Sequence, residues 1–287
     1  MHSLRIAAPA KLNFFLHITG RRPDGYHLIE SLAGFAQFGD IIEISVAQTL
    51  SLSVEGPFAE ALTGNGANNL IVRAAHSLNK HTGGQRGAHI RLHKNIPIGA
   101  GLGGGSSDAA VALKGLAQFW QLAIKENDLH TLAVSLGSDV LVCLMQKPSW
   151  ISGIGEQVYA VDMVVGGWVV LVNPGVPLLT ADVYRQFSGD FSPVSEPPQS
   201  IKSFDALVKF MQSRHNALEA PAMTLQPIIS EILAVLRATT GCAVARMSGS
   251  GATCFALYDN EQQARGAAQH MERTRPVWWV QVTKLLE

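Results

Sequence analysis

Charge is scarce in this chain. Lys, Arg, Asp and Glu make up 15% of its 287 residues, against roughly 25% in an average soluble domain. The 22 basic and 22 acidic side chains cancel, so no global field draws nucleic acid or an anionic membrane, and an anionic ligand must be held by local geometry. Cysteine is scarce too. Cys143, Cys242 and Cys254 are odd in number, widely spaced and set among apolar residues, which reads as buried thiols in a reducing cytoplasm rather than a disulfide framework or a metal site. Long apolar runs are missing: Met163 to Val172 spans ten residues and holds Gly166-Gly167, where a membrane-spanning helix needs about 20. Arg5 and Lys11 interrupt the N-terminus before the apolar stretch of a secretory leader can form. The ten histidines do not cluster. His89 and His93 share a strand face with Arg91 while Ile90 and Leu92 face inward, a solvated face with no third metal ligand nearby.

Glycine, by contrast, is concentrated. Gly99, Gly101, Gly103, Gly104 and Gly105 are five glycines in seven residues, a composition that weakens any helix or strand but lets bare backbone N–H groups approach a ligand. Ser106, Ser107 and Asp108 then open a helical pattern running through Ala109, Val111, Leu113, Leu116 and Trp120. A glycine loop feeding a helix N-terminus is an anion cradle, and phosphate is the natural guest. The three common phosphate loops fit badly. Gly99, Gly101 and Gly104 match the dinucleotide spacing, but a second helical pattern (Leu129, Leu132, Ala133, Leu136, behind Asn127 as a cap) follows where a strand is needed. No Gly-Lys-Ser/Thr ends the loop, and neither His-Arg-Asp nor Asp-Phe-Gly follows it.

Elsewhere, residues 41–46 and 50–54 alternate like half-buried strands. Asn68-Asn69 caps a helix with Ile71, Ala74, Ala75 and Leu78 on one face. A second unit opens after about Gly155, with Trp168 to Val172 as a buried strand and the Ser/Pro-rich stretch from Ser188 to Ser200 as a mobile surface loop. Ile229, Ile232, Leu233 and Leu236 form a helical stripe, strands flank the turn at Gly249-Ser250-Gly251, a helix carries Ala264, Ala267, Ala268 and Met271, and residues 277–282 form a last strand. Strands first and helices in a block argue α+β, in two domains at 1–155 and 156–287.

Three segments carry a resemblance. Pro97-Ile98-Gly99-Ala100-Gly101-Leu102-Gly103-Gly104-Gly105-Ser106-Ser107 resembles the central motif of the GHMP kinases. Ala8-Pro9-Ala10-Lys11-Leu12-Asn13-Phe14-Phe15-Leu16, followed by Gly20 to His27, resembles the first motif, and Met247-Ser248-Gly249-Ser250-Gly251-Ala252-Thr253 the third. The order is the family's, and the likeness covers nearly the whole chain. It implies a two-domain fold, an N-terminal ribosomal-S5-domain-2-like half and a C-terminal ferredoxin-like half, and an ATP- and Mg²⁺-dependent kinase of a small-molecule alcohol. The triple glycine with Ser106-Ser107 and the Asp24-Gly25-Tyr26-His27 segment narrow it to the branch that phosphorylates the 2-hydroxyl of a cytidine-diphosphate derivative of methylerythritol in isoprenoid precursor synthesis.

That resemblance implies roles residue by residue. The loop from Pro97 to Ser107 binds the triphosphate; Ser106 or Ser107 either offers a hydroxyl to Mg²⁺ or a phosphate oxygen, or caps the helix, and the metal ligands stay unassigned. Asp139, in Leu136-Gly137-Ser138-Asp139, is the catalytic base and Lys11 its partner in acidifying the substrate hydroxyl; by residue type alone they read as a turn carboxylate and a strand surface charge. Asn13, two residues from Lys11 and on its face, contacts the same group. Tyr26 and Tyr184 sandwich the cytosine, His27 hydrogen-bonds it, and Tyr184 reads equally as a core aromatic. Two positions depart from the pattern: Leu141 replaces a proline, and Asp108 stands where some relatives carry asparagine, either at the positive end of the helix dipole or repelling the triphosphate. The expected partners are the small-molecule substrate, no nucleic acid and no membrane, in a monomer or weak homodimer. Two rival readings are another GHMP small-molecule kinase of the mevalonate or homoserine type, which gives Tyr26, His27 and Tyr184 no joint purpose, and a silent nucleotide-binding regulator, which has no need of both Lys11 and Asp139.

Overall fold

A computed structural model of the chain describes residues 3–62 and 68–286. It begins with β1 (Ser3–Arg21), β2 (His27–Ser45), β3 (Leu50–Glu55), a 3-10 turn (Glu60–Leu62), α1 (Leu70–His81) and β4 (Ala88–His93). There follow α2 (Gly104–Phe119), α3 (Glu126–Leu136), α4 (Ser138–Met145), β5 (Ser149–Ser152), β6 (Gln157–Ala160), β7 (Asp162–Met163), β8 (Trp168–Asn173) and α5 (Thr180–Gln186). The rest is β9 (Ser200–Ile201), α6 (Phe204–Gln212), α7 (Glu219–Leu225), α8 (Ile228–Ala238), β10 (Val244–Met247), β11 (Cys254–Tyr258), α9 (Glu261–Thr274) and β12 (Trp279–Lys284). None of these helices is long and apolar enough to cross a membrane.

The elements fall into two units that the chain enters more than once. One holds residues 1–10, 39–98 and 103–146; the other holds 11–38, 99–102 and 147–287. In the first, β4 pairs parallel with β3 and antiparallel with the end of β2. Alternation decides which side is inside: Ile42, Ile44, Ala88, Ile90 and Leu92 are buried, while His89, Arg91 and His93 stay on the wetter face. Asn69 caps α1 by accepting the Ile71 N–H, and Ile71, Ala74, Ala75 and Leu78 form its buried face. Helix α2 is buried over most of its circumference. Gly115 lets it lie close to the sheet, since a Cβ there would sit 2.8 Å from Ile6 and 2.9 Å from Ile44.

In the second unit, β5 pairs antiparallel with the first part of β2 and with β6. Its larger sheet runs β10-β11-β8-β12, antiparallel throughout. Read in chain order as strand, helix, strand, strand, helix, strand, that is the ferredoxin-like arrangement. Val170 and Val172 from β8 and Ile229, Ile232, Leu233 and Leu236 from α8 build its core with Ala264, Ala268 and Met271 from α9.

Several boundaries differ from the pattern. The third helix begins at Glu126, with Lys125 and not Asn127 before it, and places Glu126 and Asp128 in a first turn that favours acidic residues. The apolar run from Val140 to Leu144 lies inside helix α4. The last strand lies two residues later than its apolar pattern. Cys143 and Cys254 are buried, Cys242 half-buried, and none is in a disulfide.

Candidate active site

The glycine loop owes its shape to a repeated backbone choice. Gly99, Gly101 and Gly103 have φ of +63°, +74° and +62°, a left-handed conformation at every second residue that L side chains resist. Gly103 is the N-cap of α2 and offers no side chain to its first turn, so the orphan N–H groups of that turn stay available to an anion. The serines therefore do not cap the helix. Ser106 is half-buried and Ser107 fully buried inside the first turns, and the Ser107 hydroxyl has no hydrogen-bond partner among the described residues.

Within the second unit, parts of all three motifs converge. The Lys11 N–H donates to the Leu102 carbonyl at 2.8 Å and the Thr253 N–H to that of Ala100 at 3.2 Å. The Ser248 hydroxyl donates to the Gly101 carbonyl at 2.9 Å while accepting the Asn13 N–H at 3.2 Å. Gly101 is pressed so closely that a Cβ would lie 2.3 Å from the Ser248 carbonyl oxygen and 2.9 Å from that of Gly251. Lys11 is buried at 4% exposure, which removes the reading of a surface strand charge. Asn13, also buried, donates its amide to the Ser31 hydroxyl at 2.7 Å, and its Oδ1 is left without a partner among the described residues.

Sequence patterns missed the supports of this arrangement. Asn216 donates to the carbonyls of Met247 and Gly249 at 2.9 and 2.7 Å, holding the third motif from behind. Buried Arg246 donates to the carbonyls of Phe14, Met211 and Arg214. Neither residue belongs to a recognisable spacing; their contacts span 31 to 232 residues of chain.

Asp139 lies in the other unit, half-buried in the first turn of α4 rather than in a turn between elements. Leu141 stands inside that helix. Asp108 fits neither role set out for it: its carboxylate is buried and its Oδ2 accepts from Lys94 at 2.7 Å.

The residues expected to read the base fall at one end of the second unit. The His27 ring stacks on Tyr184 at 5.4 Å with 29° between planes, and meets Phe187 edge-on. Phe187 in turn stacks on Phe191. Burial, helped by Arg21, lowers the His27 pKa, which keeps its ring neutral near neutral pH. Tyr26 is 61% exposed, in a turn where its N–H donates to Asp24. The Ser/Pro-rich loop is fastened here too: the Ser192 N–H donates to Ile18, and Ser195 donates through its N–H and hydroxyl to buried Glu30.

Family models define the class of protein that this fold and loop represent: GHMP kinases N terminal domain matches residues 69–147, and GHMP kinases C terminal matches 199–276. Curated 4-diphosphocytidyl-2-C-methyl-D-erythritol kinases resemble the chain along its length, with 45% identity to that of Paramagnetospirillum magneticum (100% of each chain) and 43% to that of Parvibaculum lavamentivorans (96% of each). This chain belongs to that family of GHMP kinases. The solved structure of a 4-(cytidine 5'-diphospho)-2C-methyl-D-erythritol kinase agrees at TM-score 0.82 and 30% identity, over 99% of this chain and all of the other. A homoserine kinase from Cytophaga hutchinsonii shares the fold at TM-score 0.72 and 15% identity, over 99% of this chain and 95% of that one.

Proposed function

We propose that the protein transfers the γ-phosphoryl group of ATP to the 2-hydroxyl of 4-diphosphocytidyl-2-C-methyl-D-erythritol, a step in non-mevalonate isoprenoid precursor synthesis. The observation that carries this reading is the hydrogen-bonded meeting of β1, the glycine loop and the 248–253 turn around Lys11, Asn13, Gly101 and Ser248. Phosphoryl transfer needs positioning and charge cancellation more than covalent chemistry. The bare N–H groups of the loop and of the first turn of α2 supply donors to the triphosphate. Asp139 accepts the proton of the attacking hydroxyl, and the ammonium of Lys11 favours its loss. Asn13 positions the same hydroxyl with its Oδ1, which has no partner among the described residues.

Mg²⁺ fits the chemistry of these residues: the buried Ser107 hydroxyl, without a partner among the described residues, is an oxygen donor of the type it takes beside water and phosphate, and it would neutralise charge on the transferring group.

At the other end of the substrate, the rings of Tyr26 and Tyr184 supply faces for the cytosine, with His27 as its hydrogen-bonding partner. Stacking on an aromatic ring contributes roughly 1–3 kcal/mol per base. Tyr26→Ala therefore raises KM for the cytidine substrate by about 5- to 150-fold, at about 1.4 kcal/mol per decade, and leaves KM for ATP near the wild-type value. Steady-state kinetics with each substrate varied in turn checks this; equal rises in both KM values would remove the stacking role.

A further inference from the structure

Three buried ionisable groups lie beside the start of α2 and take no part in the chemistry above. Lys94, Asp40 and Asp108 are each 3% exposed or less. The Lys94 ammonium donates to Asp40 Oδ2 at 2.5 Å and to Asp108 Oδ2 at 2.7 Å. Asp40 uses its other oxygen to accept the N–H groups of Asn95 and Ile96 at 2.6 and 2.8 Å, and the Asn95 side chain donates to the Gly39 carbonyl. The residues that enter the loop are thus fastened to β2, and the helix that leaves it is fastened to the same lysine. Gly104 tightens the arrangement: a Cβ there would lie 3.1 Å from both Lys94 Nζ and Ile96 Cγ2.

We infer that Lys94 and Asp108 are positioning residues that staple the two ends of the ATP phosphate loop, setting the N–H groups of residues 98–107 before nucleotide arrives.

Burying three ionisable groups is costly, and fixing one geometry is the best-attested return on such a cluster. Burial pushes the Asp108 carboxyl up, Lys94 pulls it back, and Asp40 adds to the rise; Asp108 Oδ1 moreover has no partner among the described residues. Asp108 is thus a poor choice for stability alone. A preformed loop binds its ligand without first ordering its backbone, which is where affinity is gained.

The inference rests on the proposed use of ATP, so the test separates the two. Asp108→Ala leaves Lys94 and Asp40 as a one-to-one buried pair, with no orphan charge. Calorimetric titration of ATP and steady-state kinetics are measured on wild type, Asp108→Ala, Asp108→Asn and Lys94→Arg, below each variant's melting temperature. The expected result is an increase of about tenfold in Kd and KM for ATP in Asp108→Ala, with KM for the alcohol substrate unchanged. Asp108→Asn, which keeps an acceptor for Lys94, restores most of the affinity. Lys94→Arg keeps the charge balance but not the reach of a single ammonium; it shows the same ATP-selective loss and covers the case in which Asp108→Ala fails to fold. A lowered melting temperature with unchanged ATP constants, or equal changes for both substrates, overturns the staple. Failure of the wild type to bind ATP would overturn the kinase reading itself.

Discussion

Asp139→Ala loses turnover by about 10²–10⁴, the range for a positioned acid–base group, while its affinity for ATP stays near wild type. In free energy this is roughly 3–5 kcal/mol of lost transition-state stabilisation, at 1.36 kcal/mol per decade. The asymmetry between the constants follows from placement. Asp139 sits in the first turn of α4, and the loop that supplies N–H donors to phosphate is a separate segment of chain. On the proposed role, removing the carboxylate removes the proton acceptor and leaves the backbone N–H donors of the loop in place. Asp139→Asn is the companion variant, matching the side chain in shape while lacking a basic oxygen. Both are measured by single-turnover transfer together with ATP titration. Near-normal turnover in either would take the base role away from Asp139.

The second large effect comes from one methyl group. Gly101→Ala must hold φ near +74° and place a Cβ 2.3 Å from the Ser248 carbonyl oxygen and 2.9 Å from that of Gly251, both backbone atoms. The left-handed conformation costs an L-residue roughly 1–2 kcal/mol, and overpacking of this kind typically adds about 1–3 kcal/mol. The loop must move away from the third motif, carrying the Ala100 and Gly101 carbonyls off Thr253 and Ser248. The expected loss in kcat/KM for ATP is about 30- to 4,000-fold, at about 1.4 kcal/mol per decade. Gly99→Ala is the control. It has a similar φ of +63° but open space around the new methyl, so it incurs only the conformational term and loses about 5- to 30-fold, at about 1.4 kcal/mol per decade. Equal losses in the two variants would contradict the account of the loop as a part pressed onto the 248–253 turn.

These residues also show what a sequence reveals and what it withholds. The loop is legible because its chemistry is local: glycines at alternate positions before a helix state both the backbone conformation and the ligand class. The ferredoxin-like order was legible for a related reason, since α8 and α9 each print an apolar stripe between short strands. The long strands β1 and β2 were only partly visible. From Ala8 to Leu16 every residue of β1 is buried, so the alternation that marks a half-exposed strand is absent. Lys11 suffers from the same problem in reverse, because a charged residue in an apolar strand reads as surface until packing shows it enclosed. Lys94 lies 54 residues from Asp40 and 14 from Asp108, and nothing in the spacing of three charged residues announces that they share one buried site. Asn216 and Arg246 were hidden likewise: their work is done on carbonyls of distant chain, and a carbonyl leaves no mark in a sequence.

The central claim, an ATP-dependent kinase selective for a cytidine-linked alcohol, is tested most directly by coupled ADP release with Mg-ATP. The panel is 4-diphosphocytidyl-2-C-methyl-D-erythritol, mevalonate, homoserine and galactose at matched concentrations. The account predicts turnover with the cytidine compound alone, with a phosphate newly attached at its 2-hydroxyl. Turnover with mevalonate, homoserine or galactose in its place, or ATP binding without phosphoryl transfer to any of the four, would contradict it.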